Sequence, residues 1–347
     1  CDSRLAGTPH STTRGHGRPG LDVAQDHGRV FGSAQCRPGE PVPLVEEPGR
    51  PLRGSSMPTA PDKTLIMGLA ANYCPSTIAV FLTSLEQAGF RGTLVLFVTE
   101  AMSRGRLPDT RYHLILAKAA IPGRLQGMSW NAVRYYFYLD YLKSQGRAFE
   151  DIFLTDTRDV LFQRDPFAAA VDGELLVTFE DASKVIGSCG INSMWILNRF
   201  GHKVFDRLKT RRIACSGTTR GTRVGMLAYL HDMCALLYPY LPAPYMEGYD
   251  QGVHNVIVHD HRVEGIVCLD NAGPILTLHY VDDRTIRIDP AGRILNTAGQ
   301  VAHVVHQFDR NPRLVALVRE RFGGIPVPAG GAGAGLPPPR DEAGGQM

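Results

Sequence analysis

Short apolar runs alternate with amphipathic segments through the middle of the chain. Five runs predict buried strands, and in chain order they read TLIMGLA, TLVLFVT, YHLILA, DIFLTD and ELLVTFE. Between the first two runs, apolar residues recur at helical spacing and predict a helix; they are Ile78, Phe81, Leu82 and Leu85. Strands that alternate with helices indicate an α/β domain whose central sheet is mostly parallel.

The same spacing predicts two further helices. Tyr135, Leu139 and Leu142 would line one face of a helix that leads into DIFLTD. A later helix is marked by five apolar residues three or four positions apart, namely Val224, Leu227, Leu230, Cys234 and Leu237. We expect these residues to form the buried faces of the two helices.

The pattern changes after Gly252. Several short apolar runs follow, separated by turn residues, and they read NVIV, GIVCL, ILTLHY, TIRID and RILN. Runs of this length with turns between them predict short strands. We therefore expect the C-terminal third of the fold to be more antiparallel than the rest.

The two ends of the chain lack a sustained apolar period. Residues 1–62 are rich in Gly, Pro, Arg and Ser, and residues 323–347 are of low complexity. Segments of this composition cannot bury enough apolar surface to offset the loss of chain entropy, so we expect both to be disordered. A single Rossmann-like domain over residues 63–322 remains, which is within the usual size range of a domain.

The composition is that of a soluble globular protein. The 347 residues are 44% hydrophobic and 20% charged. The net charge of +3 is nearly neutral, so charge predicts neither nucleic-acid binding nor membrane binding. No apolar run reaches the length of about 20 residues that a transmembrane helix needs, and we expect no such segment.

The seven cysteines form no CxxC pair and follow no regular spacing. This argues against a zinc knuckle or a disulfide framework and favours a reducing compartment. We therefore expect a cytoplasmic protein. An N-terminal anchor stays open as an alternative, because the chain begins at Cys1 rather than at Met.

Acidic residues follow the DIFLTD strand at its carboxyl end, where open α/β sheets bind ligands. Asp156 and Asp159 stand there, with Arg158 between them. Two carboxylates about 4 Å apart repel by about 4 kcal/mol at an effective dielectric constant near 20. A shared proton, a neighbouring arginine, or a hard cation such as Mg²⁺ or Mn²⁺ would offset this repulsion. The alternative is that both are turn carboxylates before Asp165 and Pro166.

The stretch FLTDTRDVLFQRDPF resembles the metal-binding segment of nucleotide-sugar glycosyltransferases of the GT-A fold. Those families carry an apolar strand, an Asp-x-Asp motif, a few apolar residues and often a proline. Here the two acids are one residue further apart than in the usual motif. Asp159 keeps the usual distance to Pro166, so the resemblance implies that Asp159 binds the metal and that Asp156 binds it directly or through water.

The resemblance extends from Thr64 to about Arg310 and implies a donor-binding site. MGLAANY resembles the first strand of these enzymes, so Asn72 and Tyr73 would lie beside the nucleotide base, with Tyr73 available for stacking. SWNAVRYYFYLDYL resembles the helix before the metal motif, which implies that Arg134 faces the diphosphate. An ordinary strand end and a solvated helix residue are the structural alternatives.

The segment ACSGTTRGTR resembles the Ser-Gly loop that holds the donor sugar or the acceptor in these enzymes. Small residues let the backbone approach a ligand, and the following helix terminus favours anions. The implied donor-binding residues are Ser216, Gly217, Thr218 and Thr219. The structural alternative is simple helix capping by Thr219 or Thr222.

Two later segments complete the resemblance. GYDQGVHN resembles the segment beside the reacting sugar, which implies catalytic roles for Asp250 and Gln251 and a sugar-binding role for Asn255. VVHQFDR implies that His306 completes the metal site. Asp309 or Arg310 would help to bind the diphosphate or hold the loop. The likeness to glycogenin-type enzymes favours retention of anomeric configuration, although Asp250 could be a general base in an inverting enzyme.

The resemblance implies a metal-dependent glycosyltransferase that uses Mn²⁺ or Mg²⁺ and a nucleoside-diphosphate sugar. Its acceptor could be a glycan, a lipid or a small molecule, and no nucleic acid is expected. One alternative is a phosphohydrolase of the haloacid-dehalogenase type, although that motif needs its second acid two residues after the first. The other alternative is a catalytically silent relative that only binds sugar nucleotides.

Overall fold

The computed structural model describes residues 63–145, 147–170, 172–240, 245–323, 325 and 327. Its strands are Thr64–Ala70 (β1), Thr93–Val98 (β2), His113–Lys118 (β3), Asp151–Thr155 (β4), Val160–Phe162 (β5), Leu175–Phe179 (β6), Ala214–Thr222 (β7), Ile266–Leu269 (β8), Ile275–Thr277 (β9), Arg287–Ile288 (β10), Ile294–Leu295 (β11) and Val304–His306 (β12). Its α-helices are Ala79–Gln87 (α1), Trp130–Ser144 (α2), Gly190–Phe200 (α3), His202–Leu208 (α4), Arg223–Leu237 (α5), Tyr249–His259 (α6) and Pro312–Arg321 (α7).

A seven-stranded sheet forms the centre of the fold, in the order β3-β2-β1-β4-β7-β6-β8. Strand β7 is antiparallel to β4 and to β6, and the remaining neighbours pair in parallel. The predicted α/β class with a mostly parallel central sheet is therefore confirmed. Because β6 runs in the same direction as β4, their carboxyl ends lie at the same edge of the sheet, together with the start of β7.

Apolar side chains cover both faces of this sheet. On one face, Leu65 and Ile152 pack with residues of α2, α5 and α6 in the largest core cluster. On the other face, Ile66 and Phe153 pack with residues of α1. Consecutive strand residues thus point to opposite sides and are buried on both, which is why these strands read as continuous apolar runs in the sequence.

A small sheet in the order β5-β12-β9 lies beside the acidic strand end. Strand β12 is antiparallel to β5, with His306 opposite Val160, and parallel to β9, with His306 opposite Thr277. Strands β10 and β11 form an antiparallel pair. This pairing brings a histidine from the C-terminal part of the chain next to the acids that precede Val160.

Polar residues fix the helix starts that border the site. The Ser129 side chain accepts a hydrogen bond from the Ala132 N–H at the start of α2. The Thr222 hydroxyl accepts from the Gly225 N–H at the start of α5. Such caps satisfy backbone donors that the first helical turn leaves without a partner. Thr222 is thus the cap that the sequence offered as one alternative.

Three details of the predicted elements are wrong. The run NVIV lies inside α6 and not in a strand. The segment ACSGTTRGT forms strand β7 and not a loop. Val224 is 73% exposed and does not belong to the buried face of α5. That face contains Leu230, Cys234 and Leu237, as predicted, together with Met226, Tyr229 and Met233.

Two further points concern the ends of the chain and membranes. The disorder predicted for residues 1–62 and for most of residues 323–347 falls outside the described residues. In the described ranges, none of the helices has the length and apolar character that a membrane span requires.

Candidate metal centre and its surroundings

Two acids and one histidine converge at the carboxyl end of β4. Asp156 and Asp159 follow this strand, and His306 ends β12. One potential ligand atom from each residue lies within 4.8 Å of the others. The His306 Nε2 atom is 3.3 Å from Asp156 Oδ2 and 3.8 Å from Asp159 Oδ1. The structure thus brings together the three residues that the sequence proposed as metal ligands.

The His306 ring is held by its other nitrogen. Its Nδ1 atom is 2.9 Å from Thr277 Oγ1 and 3.5 Å from Cys215 Sγ. His306 is buried, and its Nε2 atom has no hydrogen-bond partner among the residues that the structure describes. Metal-ligating histidines commonly hold the ring by one nitrogen and bind the ion with the other. The environment of this ring matches that arrangement.

Gly217 makes room for two of the three candidate ligands, His306 and Asp156. A Cβ atom at this position would lie 2.6 Å from His306 Nε2 and 2.8 Å from Asp156 Oδ2. The Gly217 carbonyl also accepts a hydrogen bond of 2.8 Å from the Asp156 N–H. Any side chain here would occupy the space between the imidazole and the carboxylate, so the glycine of the Ser-Gly pair is required by the packing of the site.

Arg134 links the metal cluster to Asp250. Its guanidinium donates to Asp156 and, over 3.0 Å, to Asp250 Oδ2. Burial favours the protonated form of Asp156, but the charges of Arg134 and His306 outweigh it and hold the pKa of that carboxyl well below its usual range. Burial raises the pKa of Asp250 to about 6 even though Arg134 is adjacent. Arg134 therefore faces the acids of the site and is buried.

Asp250 lies at the start of α6 and is positioned by three donors. Arg134, the Tyr135 hydroxyl at 3.2 Å and the Ser216 hydroxyl at 3.3 Å all donate to Oδ2. Asp250 is only 2% exposed. Three donors on a single carboxylate oxygen fix the side chain in one orientation, which is the kind of preorganisation that a catalytic acid requires.

Arg158 and Arg310 lie beside Asp159 and Asp309. The Arg158 guanidinium is 2.9 Å from Asp309 Oδ2 and 3.9 Å from Asp159 Oδ2. The Arg310 guanidinium is 3.7 Å from Asp159 Oδ2. Both side chains are about a quarter exposed, so they form a positively charged rim beside the acids.

Tyr73 belongs to the same surroundings. It is partly buried, and burial raises the pKa of its hydroxyl, whereas the Arg158 charge lowers it and the Asp156 charge raises it. Asn72, the neighbouring predicted residue, is exposed and adopts a left-handed backbone conformation with φ of 60°. Its backbone N–H donates to Thr99 Oγ1 over 2.8 Å. Tyr73 is thus electrostatically coupled to the cluster, whereas Asn72 forms the turn after β1.

Three of the predicted donor-binding residues are buried and hold the secondary-structure elements together. Thr218 and Thr219 are fully buried in β7, where they pair with Thr155 and Leu154 of β4. The Asn255 side chain accepts from the Ala214 N–H and donates to the Ala214 carbonyl, so it joins α6 to β7. These three residues position Ser216, Gly217 and Asp250.

Two residues that contact Gln251 were not predicted from the sequence. Glu180 follows β6, and Asn192 lies in α3. Both accept hydrogen bonds from the Gln251 side-chain nitrogen, at 3.1 Å and 3.2 Å. The signal for Glu180 was an acid directly after an apolar strand, the same signal that identified Asp156. Asn192 offered no comparable signal.

The donor set fits a divalent cation. Two carboxylates and one imidazole are oxygen and nitrogen ligands of the kind that Mn²⁺ accepts, and Mg²⁺ prefers oxygen. Three protein ligands leave coordination positions for a substrate, as catalytic metal sites require. No protein-family model matches this sequence, and no curated protein is found to match it.

Proposed function

We propose that this protein is a metal-dependent glycosyltransferase of the GT-A type that uses a nucleoside-diphosphate sugar. The observation that carries the proposal is the convergence of Asp156, Asp159 and His306 at the carboxyl edge of a mostly parallel sheet. It is supported by the sequence resemblance of the segments that contain these residues. The neighbouring Asp250 and Ser216 come from the segments that the resemblance assigns to sugar binding.

The three ligands would hold a divalent cation, Mn²⁺ or Mg²⁺. When bound, such a cation supplies positive charge to the oxygens of the donor's diphosphate. Arg134 stabilises the ionised form of Asp156, which is the form that binds metal. In this proposal Arg134 therefore acts on the ligand rather than on the diphosphate itself.

Arg158 and Arg310 would face the diphosphate. They lie beside Asp159, and each is partly exposed at the rim of the site. A guanidinium offers several N–H donors in a planar arrangement that suits phosphate oxygens. Because the diphosphate gains negative charge as it leaves, these contacts strengthen in the transition state and promote cleavage of the sugar–phosphate bond.

Asp250 would act on the sugar. Its Oδ2 atom is held by Arg134, Tyr135 and Ser216, so we assign its Oδ1 atom to a sugar hydroxyl or to the positive charge that develops at the anomeric carbon. Retention of anomeric configuration stays a prediction, and NMR of the product would test it. Glycan, lipid and small-molecule acceptors all fit the proposal.

The test is a turnover assay with the full chain. UDP-glucose, UDP-galactose, UDP-N-acetylglucosamine and GDP-mannose are incubated with the protein and Mn²⁺, or with EDTA. We expect Mn²⁺-dependent release of nucleoside diphosphate from at least one of them. Release of inorganic phosphate from p-nitrophenyl phosphate would instead indicate a phosphohydrolase. Binding without turnover would indicate a catalytically silent relative.

Asp159→Asn is the matching variant. It removes a negative charge from the metal site, so we expect metal-dependent turnover to fall by more than about a hundredfold while the fold survives. Turnover and Mn²⁺ binding are measured alongside the melting temperature. Asp172→Asn makes the same chemical change at an exposed position and should leave all three unchanged. Full activity of Asp159→Asn would remove this carboxylate from the mechanism.

A further inference from the structure

Glu180 carries a buried carboxyl oxygen that the fold does not use. The residue follows β6 at the same edge of the sheet as Asp156, and its backbone N–H donates to the Ile213 carbonyl. It is 1% exposed. Its Oε1 atom accepts from Gln251, but Oε2 has no hydrogen-bond partner in the part of the chain that the structure describes. A buried polar atom without a partner is costly, and such atoms often mark functional sites.

The Gln251 side chain is already occupied by the protein. Its nitrogen donates to Glu180 Oε1 over 3.1 Å and to Asn192 Oδ1 over 3.2 Å. Its oxygen accepts from the Ser216 N–H over 3.5 Å. Both N–H groups of the amide are therefore used. Among these side chains, Glu180 Oε2 is the polar atom that has no hydrogen-bond partner among the described residues.

A short chain of hydrogen bonds joins Glu180 to the proposed catalytic acid. Glu180 is bound to Gln251, Gln251 to the Ser216 backbone, and the Ser216 hydroxyl to Asp250. Strand β6 lies two positions from β4 in the sheet, which corresponds to about 10 Å. A sugar attached to a diphosphate at the metal cluster would extend over such a distance.

The chemistry of this carboxyl suits a hydroxyl ligand. Burial raises the pKa of Glu180 to about 7, with Gln251 and the His306 charge opposing the increase. Near neutral pH the group can therefore either accept or donate a hydrogen bond. A sugar hydroxyl also does both, so it can satisfy Oε2 in either protonation state, whereas an anion or a cation could not.

We propose that Glu180 is a sugar-binding residue whose Oε2 atom hydrogen-bonds a hydroxyl of the donor's sugar, while its Oε1 atom and Asn192 fix the Gln251 amide. This inference rests on the proposed function. It adds a residue that determines which sugars are accepted, because only a sugar with a hydroxyl at the matching position gains the bond.

The test compares a nucleotide sugar with the nucleotide alone. Isothermal titration in Mn²⁺ measures Kd for the best-bound donor among UDP-glucose, UDP-galactose, UDP-N-acetylglucosamine and GDP-mannose, and for the matching UDP or GDP. For Glu180→Ala we expect donor binding to weaken by about tenfold and binding of the nucleotide to stay unchanged, because only the sugar reaches this carboxyl. Glu264→Ala is the matched control at an exposed position and should change neither value.

Each outcome decides the inference. Equal weakening of donor and nucleotide, or no weakening of either, would overturn the role of Glu180 and leave the proposed function standing. No binding of any nucleotide sugar by the unmodified protein would overturn the proposed function and this inference together. Melting temperatures establish that the variants fold, and Glu180→Asp, whose shorter side chain withdraws the carboxyl, replaces the alanine variant if that variant does not.

Discussion

The two ends of the β4–β7 strand pair both contain a buried arginine bound to an aspartate. They differ in how many acids each base faces and in which polar atoms lack a hydrogen bond. At the amino end of β4, Arg220 pairs with Asp151. At its carboxyl end, Arg134 pairs with Asp156. A buried ion pair alone therefore does not distinguish a functional site from a structural one in this protein.

At the first end the arginine's charge and hydrogen bonds are taken up by the protein. Arg220 donates from Nε over 3.0 Å and from a second nitrogen to the Asp151 carboxylate, and it also donates to the carbonyls of Pro166 and Ala169. Its guanidinium lies 5.0 Å from the centre of the Phe167 ring. One arginine faces one acid, and this end ties the loop after β5 to the sheet.

At the second end each base faces two acids. Asp156, Asp159 and Asp250 surround Arg134 and His306, and His306 Nε2 lacks a hydrogen-bond partner among the described residues. Two carboxylates with an imidazole nitrogen directed at them form a ligand set of the kind that binds a cation. The comparison separates the two ends by how many acids share one base and not by buried charge, and this is why the carboxyl end of β4 is the candidate site.

The largest expected effect is that of removing the Arg220–Asp151 pair at the amino end of β4. Arg220→Ala removes the partner of Asp151 and the donors to several carbonyls, so we expect a loss of about 3 kcal/mol in the free energy of unfolding. Urea denaturation measures it. Mn²⁺ affinity of the folded protein should not change. A stability loss below about 1 kcal/mol, or a parallel loss of Mn²⁺ affinity, would show that the two ends are not separate.

The next effect concerns the pH dependence of stability. Burial raises the pKa of Glu180 to about 7 in the folded protein, from 4.5 as the ordinary value. The folded state binds this proton more tightly, so the stability it contributes is present at low pH and is lost as pH rises through 7. Relative to the unmodified protein, Glu180→Gln should therefore gain about 2 kcal/mol between pH 5 and pH 8.

Urea denaturation of both proteins without metal at several pH values tests this expectation. Other titrating groups cancel in the difference between the two proteins. Glu264→Gln should show a constant difference over the same range, since its side chain is exposed. A constant difference for Glu180→Gln as well would mean that the Glu180 carboxyl is not buried as described.

A smaller effect is expected from filling the space between the ligands. Gly217→Ala would place a Cβ atom 2.6 Å from His306 Nε2, so the ring or the Asp156 carboxylate must shift. We expect Mn²⁺ affinity to fall by about tenfold, as when the surroundings of metal ligands are disturbed. Isothermal titration measures it. Gly123→Ala is the control, because a Cβ atom there meets no neighbour within 4 Å.

The smallest effect is expected at an arginine–aspartate pair on the surface. Arg207 donates to both oxygens of Asp260, as Arg220 does to Asp151, but the Arg207 side chain is 48% exposed. Solvent screens such pairs, so Arg207→Ala should cost less than about 1 kcal/mol. Urea denaturation checks it beside Arg220→Ala. Equal losses in the free energy of unfolding for the two variants would show that burial does not determine how much such a pair contributes to stability.

The sequence predicted strands β1, β2, β4 and β6 well because they are buried on both faces. Runs such as TLIMGLA have no polar face, and the same residues form β1. The run NVIV was predicted wrongly as a strand because its β-branched residues favour strands. In the structure, Val256 and Ile257 are buried in a helix that packs on the core. Local preference loses to tertiary packing there.

The candidate site was predictable where its chemistry follows an apolar strand. Asp156 and Asp159 follow strand β4 and were predicted as ligands. Glu180 follows strand β6 in the same way but was not predicted as a site residue. The segment ACSGTTRGT consists of small and hydroxyl residues, which are typical of loops, yet it forms β7 between β4 and β6. Burial on both faces permits small residues there, and only the three-dimensional neighbours reveal it.

The pairing of β12 with β5 also sets when the ligand set is assembled. His306 lies near the end of the described chain, yet it pairs with Val160, the residue directly after Asp159. During synthesis the carboxylates therefore leave the ribosome long before the imidazole. A cation held by all three ligands would link residues 156–159 to His306. Removing it with a chelator would destabilise the part of the fold around His306 first.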